Sequence, residues 1–156
     1  MNFDSRLSSA LHLLLHLMEH EEAIPSERLA SALSSNPVVV RRTMAGLRDA
    51  GLVISEKGHG GGWKISCDPN QTTLLNVYQA LGSPTLFAMG NRSDQPTCHI
   101  EQAVNTALDE AFQKAESLIT ARLTTLTLAA LVALTKNLDQ HTQPCLRTVK
   151  EQIYAL

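Results

Sequence analysis

Apolar residues return at three- and four-residue steps through residues 3–20, where Leu7, Leu11, Leu14, Leu15 and Met18 predict a first helix. A shorter helix is expected in IPSERLASALS, with Leu29, Ala30 and Leu33 inward, Ser26 as its N-cap and Glu27 at the positive end of its dipole. SSNP breaks the chain, and Asn36 before Pro37 restarts it: a cap residue, then proline in the first turn. The third helix, PVVVRRTMAGLRDAG, ends at Gly51. Val40, Met44 and Leu47 form its apolar stripe, while Val38, Arg41, Ala45 and Arg48 lie on another face. The period then changes to two. LVISEK and WKISC read as strands, the second alternating Trp63, Ile65 and Cys67 with Lys64 and Ser66, and Gly58 to Gly62 joins them as a hairpin. TTLLNVYQALGSP predicts a helix stopped by Gly82 and Pro84. Residues 84–97 show no period and read as a linker or flexible loop. From Cys98 to about Asn137 one unbroken helix is expected, with Ile100, Val104, Ala107, Ala111, Leu118, Leu126 and Leu131 along one side and no glycine or proline within it. It is too long to bury itself against the preceding head, so a second subunit is expected to cover it. TQPCLRTVKEQIYAL predicts a last short helix.

Helix, helix, short turn, helix, hairpin is the order of a winged helix-turn-helix. The expected fold is therefore mainly α: a winged helix-turn-helix head over 1–83 with a two-stranded wing, a linker over 84–97, and a dimerisation helix and C-terminal helix over 98–156. In such a head the N-terminal part of the third helix faces the major groove. Ser35, Asn36, Pro37, Val38, Val39, Arg41 and Arg42 fall there, with Ser26 at the start of the preceding helix. Arginine can bond guanine edges or hold a phosphate, and valine methyls can meet a thymine methyl. On the wing, Lys57 and Lys64 can reach phosphates, Gly60 and Gly61 let backbone approach DNA, and His59 at the tip is placed to touch the minor groove or the backbone.

Charge narrows the surface. The 156-residue chain carries a net charge of −2, so nucleic acid would have to meet a local patch. Residues 36–66 hold Arg41, Arg42, Arg48, Lys57 and Lys64 against Asp49 and Glu56, a local net of +3. The glycine-rich EKGHGGGWKIS runs from strand to strand, whereas a phosphate-cradling loop runs into a helix N-terminus. The chain also lacks GxxxxGK[ST], HExxH, GxSxG and CxxC, which leaves an enzyme unsupported. Three widely spaced cysteines, Cys67, Cys98 and Cys145, with no basic start or cleavage site at the N-terminus and no run of roughly 20 apolar residues, point to a reducing cytoplasm and no membrane. His12, His16 and His20 share a helix face, either a metal face or a polar stripe; no carboxylate or cysteine is placed to complete a site, which favours the stripe.

The run NPVVVRRTMAGLRDAGLVISEKGHGGGWKIS resembles the recognition helix and wing of Rrf2-family transcriptional regulators. The family's helix ends in a Leu-(Arg)-x-Ala-Gly-Leu-Val run and its wing carries Gly-x-x-Gly-Gly-aromatic. Here stand Leu47, Arg48, Ala50, Gly51, Leu52 and Val53, then Gly58, Gly61, Gly62 and Trp63. Asn36-Pro37 with Arg41-Arg42 looks most like the YwnA-type branch. The resemblance covers nearly the whole chain and implies a homodimeric regulator of double-stranded DNA, with repression the expected action. Several relatives hold an iron–sulfur cluster on three closely spaced cysteines near the start of the long helix. This sequence departs from that: Cys98 is the one cysteine between residues 84 and 110, so no cofactor is expected. Cys98, beside His99 at a helix start, reads as a redox sensor or as a half-buried small residue of the first turn. Cys67 reads as core, and Cys145 stays open. A small-molecule effector near Tyr78, Phe87 and Met89 is the other source of a signal. The competing function is a protein–protein module on the same scaffold that does not touch DNA.

Overall fold

The computed structural model describes residues 4–87, 90–91 and 93–138. The element order is α1 (Arg6–Met18), α2 (Ser26–Ala32), α3 (Pro37–Asp49), β1 (Val53–Glu56), β2 (Gly62–Ile65), α4 (Leu74–Ala80), α5 (His99–Thr125) and α6 (Leu128–Leu138). The last short helix expected from the sequence, Cys145 and Met89 lie outside the described residues.

The core forms where the helices' apolar sides converge. Ala10, Leu13, Leu14 and Leu17 of α1 meet Leu29 and Ala30 of α2, Val40, Met44 and Leu47 of α3, Val53 and Trp63 of the hairpin, and Val77 of α4. The α3 stripe is the one its periodicity predicts. The α1 stripe is turned: Leu7, Leu11 and Met18 only flank the core, while Leu13 and Leu17 are buried. Residues 10–18 are apolar almost all round the helix, so period alone leaves the inward face open. Contacts with β2, α3, α4 and α6 decide it. The polar stripe proposed for α1 also fails at its centre. His16 is buried, and its Nε2 lies 2.9 Å from Nε2 of the exposed His12.

Two other elements depart from expectation. Ser26 does not cap α2: Pro25 holds the N-cap position and Ser26 is the first helical residue. Proline suits this junction because it fixes φ and has no N–H to satisfy. The long C-terminal helix is also not continuous. At Leu126 the backbone turns extended, with φ −98° and ψ 122°, and α6 starts anew at Leu128. The break is held by tertiary hydrogen bonds. Leu74 N–H donates to Leu126 C=O (2.8 Å) and Leu128 N–H donates to Thr72 C=O (3.0 Å), so Thr73 and Thr127 pair as a short bridge. The Thr127 hydroxyl accepts from Ala130 N–H (3.2 Å), restarting the helix. Thr124, Thr125 and Thr127 are weak helix formers, so little opposes the switch. Its gain is Leu128, fully buried in the head's core. Burying a leucine contributes about 1.5–3 kcal/mol. No helix among the described residues is long and apolar enough to cross a membrane.

Candidate nucleic-acid interface

The turn between α2 and α3 is short because Ser34 adopts a left-handed conformation (φ 49°) and Ser35 N–H closes it on Ala30 C=O at 2.9 Å. Asn36 then caps α3 as its sequence predicts: its side chain accepts from Val38 N–H at 2.8 Å, and Pro37 follows in the first turn. The consequence is an α3 whose start stands clear of the fold. Val38 and Val39 are 58% and 55% exposed, although valine normally seeks the core. Arg41 and Arg42 are exposed beside them, one turn further on.

The hairpin projects from the other end of α3, launched by Gly51 at φ +75°. Val53 pairs with Ile65 and Glu56 with Gly62, leaving residues 57–61 as the loop. Gly58 and Gly60 take positive φ values of 99° and 80°, a region that other residues rarely enter. Gly62 has a different reason. A Cβ there would lie 2.4 Å from the backbone of Ile24, because Ile24 pairs with the outer edge of β2 through two 2.9 Å hydrogen bonds to Trp63. That third, one-residue strand carries no period that a sequence could reveal. Trp63 packs the hairpin onto the helices, as its place on the inward side of the strand predicts. Its indole N–H donates to the Ser26 hydroxyl at 2.9 Å. Ser26, expected among the DNA contacts, is thus buried as the strut between wing and α2. Lys57, His59 and Gly60 are exposed at the hairpin tip, with the half-buried Gly61 after them, and Lys64 is half-buried on β2 opposite Ile54.

The cations fall into two sets. Arg41 is ion-paired with Glu27 of α2, and Arg48 with its neighbour Asp49 at 2.9 Å. Arg42, Lys57 and Lys64 have no carboxylate partner among the described residues. Residue counting treats all five alike. Glu27 lies outside the span 36–66, and its partner Arg41 is 14 positions away.

Away from this face, Cys98 is the N-cap residue of α5 and is exposed. The backbone N–H groups of Glu101 and Ile100 hold its thiol below the usual range, although its sulfur forms no capping hydrogen bond, so their dipoles act without a formed cap. It borders an open groove of about 540 Å³ that also meets Asn91, Val104 and Leu108. Tyr78 donates to Pro84 C=O at 2.7 Å and Phe87 stacks on Phe112 with centroids 5.8 Å apart, so both aromatics fasten the linker. Cys67 is half-buried against the core. No three or more His, Cys, Asp or Glu residues among the described ones are grouped to hold a metal, and a lone Cys98 does not supply the converging thiolates of an iron–sulfur cluster.

Residues 3–134 match the Rrf2 family, described as an iron-dependent transcriptional regulator; the iron of that description finds no fitting donor set among the described residues. The chain is 35% identical over 114 residues to YwnA of Bacillus subtilis (strain 168), whose name describes an HTH-type transcriptional regulator, covering 72% of this chain and 84% of that one. Its fold is similar to that of IscR from T. potens (TM-score 0.66, 17% identity, 92% of this chain and 94% of that one). It is also similar to CymR (YrzC), the global cysteine regulator of B. subtilis (TM-score 0.63, 18% identity, 86% and 98%). The chain is therefore a DNA-binding transcriptional regulator and not an enzyme: it belongs to the Rrf2 family.

Proposed function

We propose that the protein is a homodimeric, cytoplasmic repressor that reads a two-fold operator with the start of α3 in the major groove and the hairpin tip on the adjoining backbone. The observation that carries the reading is the start of α3, where Val38 and Val39 are presented to solvent by the Asn36 cap and flanked by Arg42. Valine methyls suit thymine methyls, and the cations without a carboxylate partner among the described residues suit phosphates. Ser35, Asn36, Pro37, Arg41, His59, Gly60, Gly61 and Lys64 complete the expected contact set. Dimerisation is supported by α5, which has no buried residue in the single chain and exposes Ile100, Val104, Leu108 and Leu118.

The signal is assigned to Cys98, whose exposed and acidified thiol suits an oxidant or electrophile. A small-molecule effector near Tyr78 and Phe87 is the other source of control. The testing experiment titrates promoter DNA by fluorescence anisotropy at several salt concentrations. The logarithm of affinity should fall linearly with that of salt, by about 0.9 per phosphate contact. Arg41→Ala with Arg42→Ala should abolish most of that binding. Cys98→Ser should bind DNA and ignore oxidant. Unchanged binding in the arginine pair, or an unchanged oxidant response in the cysteine variant, would overturn the corresponding assignment.

A further inference from the structure

Glu27 is an acidic residue beside the recognition surface of a protein that must approach phosphates. It stands in the first turn of α2, and its carboxylate holds the Arg41 guanidinium across the helix-turn-helix. Both side chains are more than half exposed, at 61% and 53%. An exposed ion pair adds little to folding stability, so its effect is expected in binding.

We infer that Glu27 is a specificity-determining, positioning residue: it cancels the charge of Arg41 toward phosphates and aims the remaining guanidinium donors at a base edge. The inference rests on the DNA-binding reading above and deepens it. A guanidinium has five N–H donors, and a single carboxylate leaves several of them for a guanine edge. Paired, Arg41 adds no net charge to the attraction for any duplex, which is the sequence-independent part of binding. That part then falls to Arg42, Lys57 and Lys64, which have no carboxylate partners among the described residues. On a duplex lacking the matching base, the Glu27 carboxylate faces phosphates with no base contact to compensate. Glu27 thus penalises wrong sequences more than the right one. The Arg48–Asp49 pair differs, since it joins neighbours at the far end of α3 and spans no helix junction.

The test uses the full chain and two probes: a duplex selected from a random pool by the wild-type protein, and a scrambled duplex of equal composition. Affinities are measured across roughly 50–200 mM salt for wild type, Glu27→Gln, Arg41→Ala and the double variant. Glu27→Gln should bind the scrambled duplex about three- to tenfold tighter, with a salt slope steeper by about one. The selected duplex should gain less, so the ratio of the two affinities falls. In the Arg41→Ala background, Glu27→Gln should leave that ratio unchanged. A purely structural role for Glu27 weakens both duplexes together and leaves the ratio intact, which overturns the inference, as does the same change of ratio with or without Arg41. Wild-type protein that binds no duplex in a salt-dependent way sinks the DNA reading itself, and the inference with it.

Discussion

His16 puts an imidazole into the side of a hydrophobic core. Burial, with His12 and His20 nearby, pushes its pKa from 6.5 down to about 4. Because the folded value lies below the unfolded one, the unfolded chain binds the proton first as pH falls. His16 therefore costs nothing above about pH 6.5, destabilises the fold increasingly between about 6.5 and 4, and adds no further loss below that. The ceiling is on the order of 3 kcal/mol. The loss should be smaller in practice, since the ring's Nε2 edge touches the exposed His12. Urea midpoints measured from pH 7.5 to 4.5 should fall in wild type and fall less in His16→Gln. A second residue carries a comparable cost. Ser26→Ala strands the buried indole N–H of Trp63, a loss of about 1–3 kcal/mol visible in the same urea curves. The serine at a helix start looked like a cap because caps and buried acceptors draw on the same small hydroxyl residues. Its partner, 37 positions away, leaves no local mark.

Among elements, the hairpin and α6 show opposite sides of the balance between local and tertiary forces. The hairpin is legible locally: alternation, glycines and one inward tryptophan place it, although Gly62, expected in the loop, begins β2 opposite Glu56. Its base is anchored by Val53 and Trp63 in the core and by the Ile24 pairing, whereas His59 at the tip is exposed. His59→Ala should thus weaken DNA binding several-fold while stability stays within about 0.5 kcal/mol, as calorimetry of the variant can check. The α5–α6 break has no glycine or proline to announce it. Backbone hydrogen bonds to residues 69–74 and the burial of Leu128 produce it. Leu128→Ala should cost about 2–5 kcal/mol in urea unfolding. A substitution of Leu134, 54% exposed one and a half turns later, should cost far less.

For the whole molecule, the single chain leaves one face unfinished. Ile100, Val104 and Leu118 of α5 are 64%, 51% and 74% exposed, and exposed apolar residues in such a row mark an interaction surface. On the proposed dimer, Val104→Glu with Leu118→Glu should halve the mass measured by sedimentation. It should also lower operator affinity on the order of a hundredfold, because two linked half-site contacts become one.

Local sequence was enough for the helix-turn-helix, its Asn36 cap, the Gly51 exit and the paired strands, because each is governed by residues within a few positions of one another. It also gave the net charge of residues 36–66, since charge is counted without knowing partners. The tertiary structure decided which side of α1 turns inward, that Ser26 supports Trp63, that Ile24 joins the sheet, and that the long helix breaks at Leu126. It also decided that Arg41 is held by Glu27 while Arg42 is free of a carboxylate partner among the described residues. Each of these depends on a contact between residues far apart in the chain, and such contacts exist only once the core has brought them together.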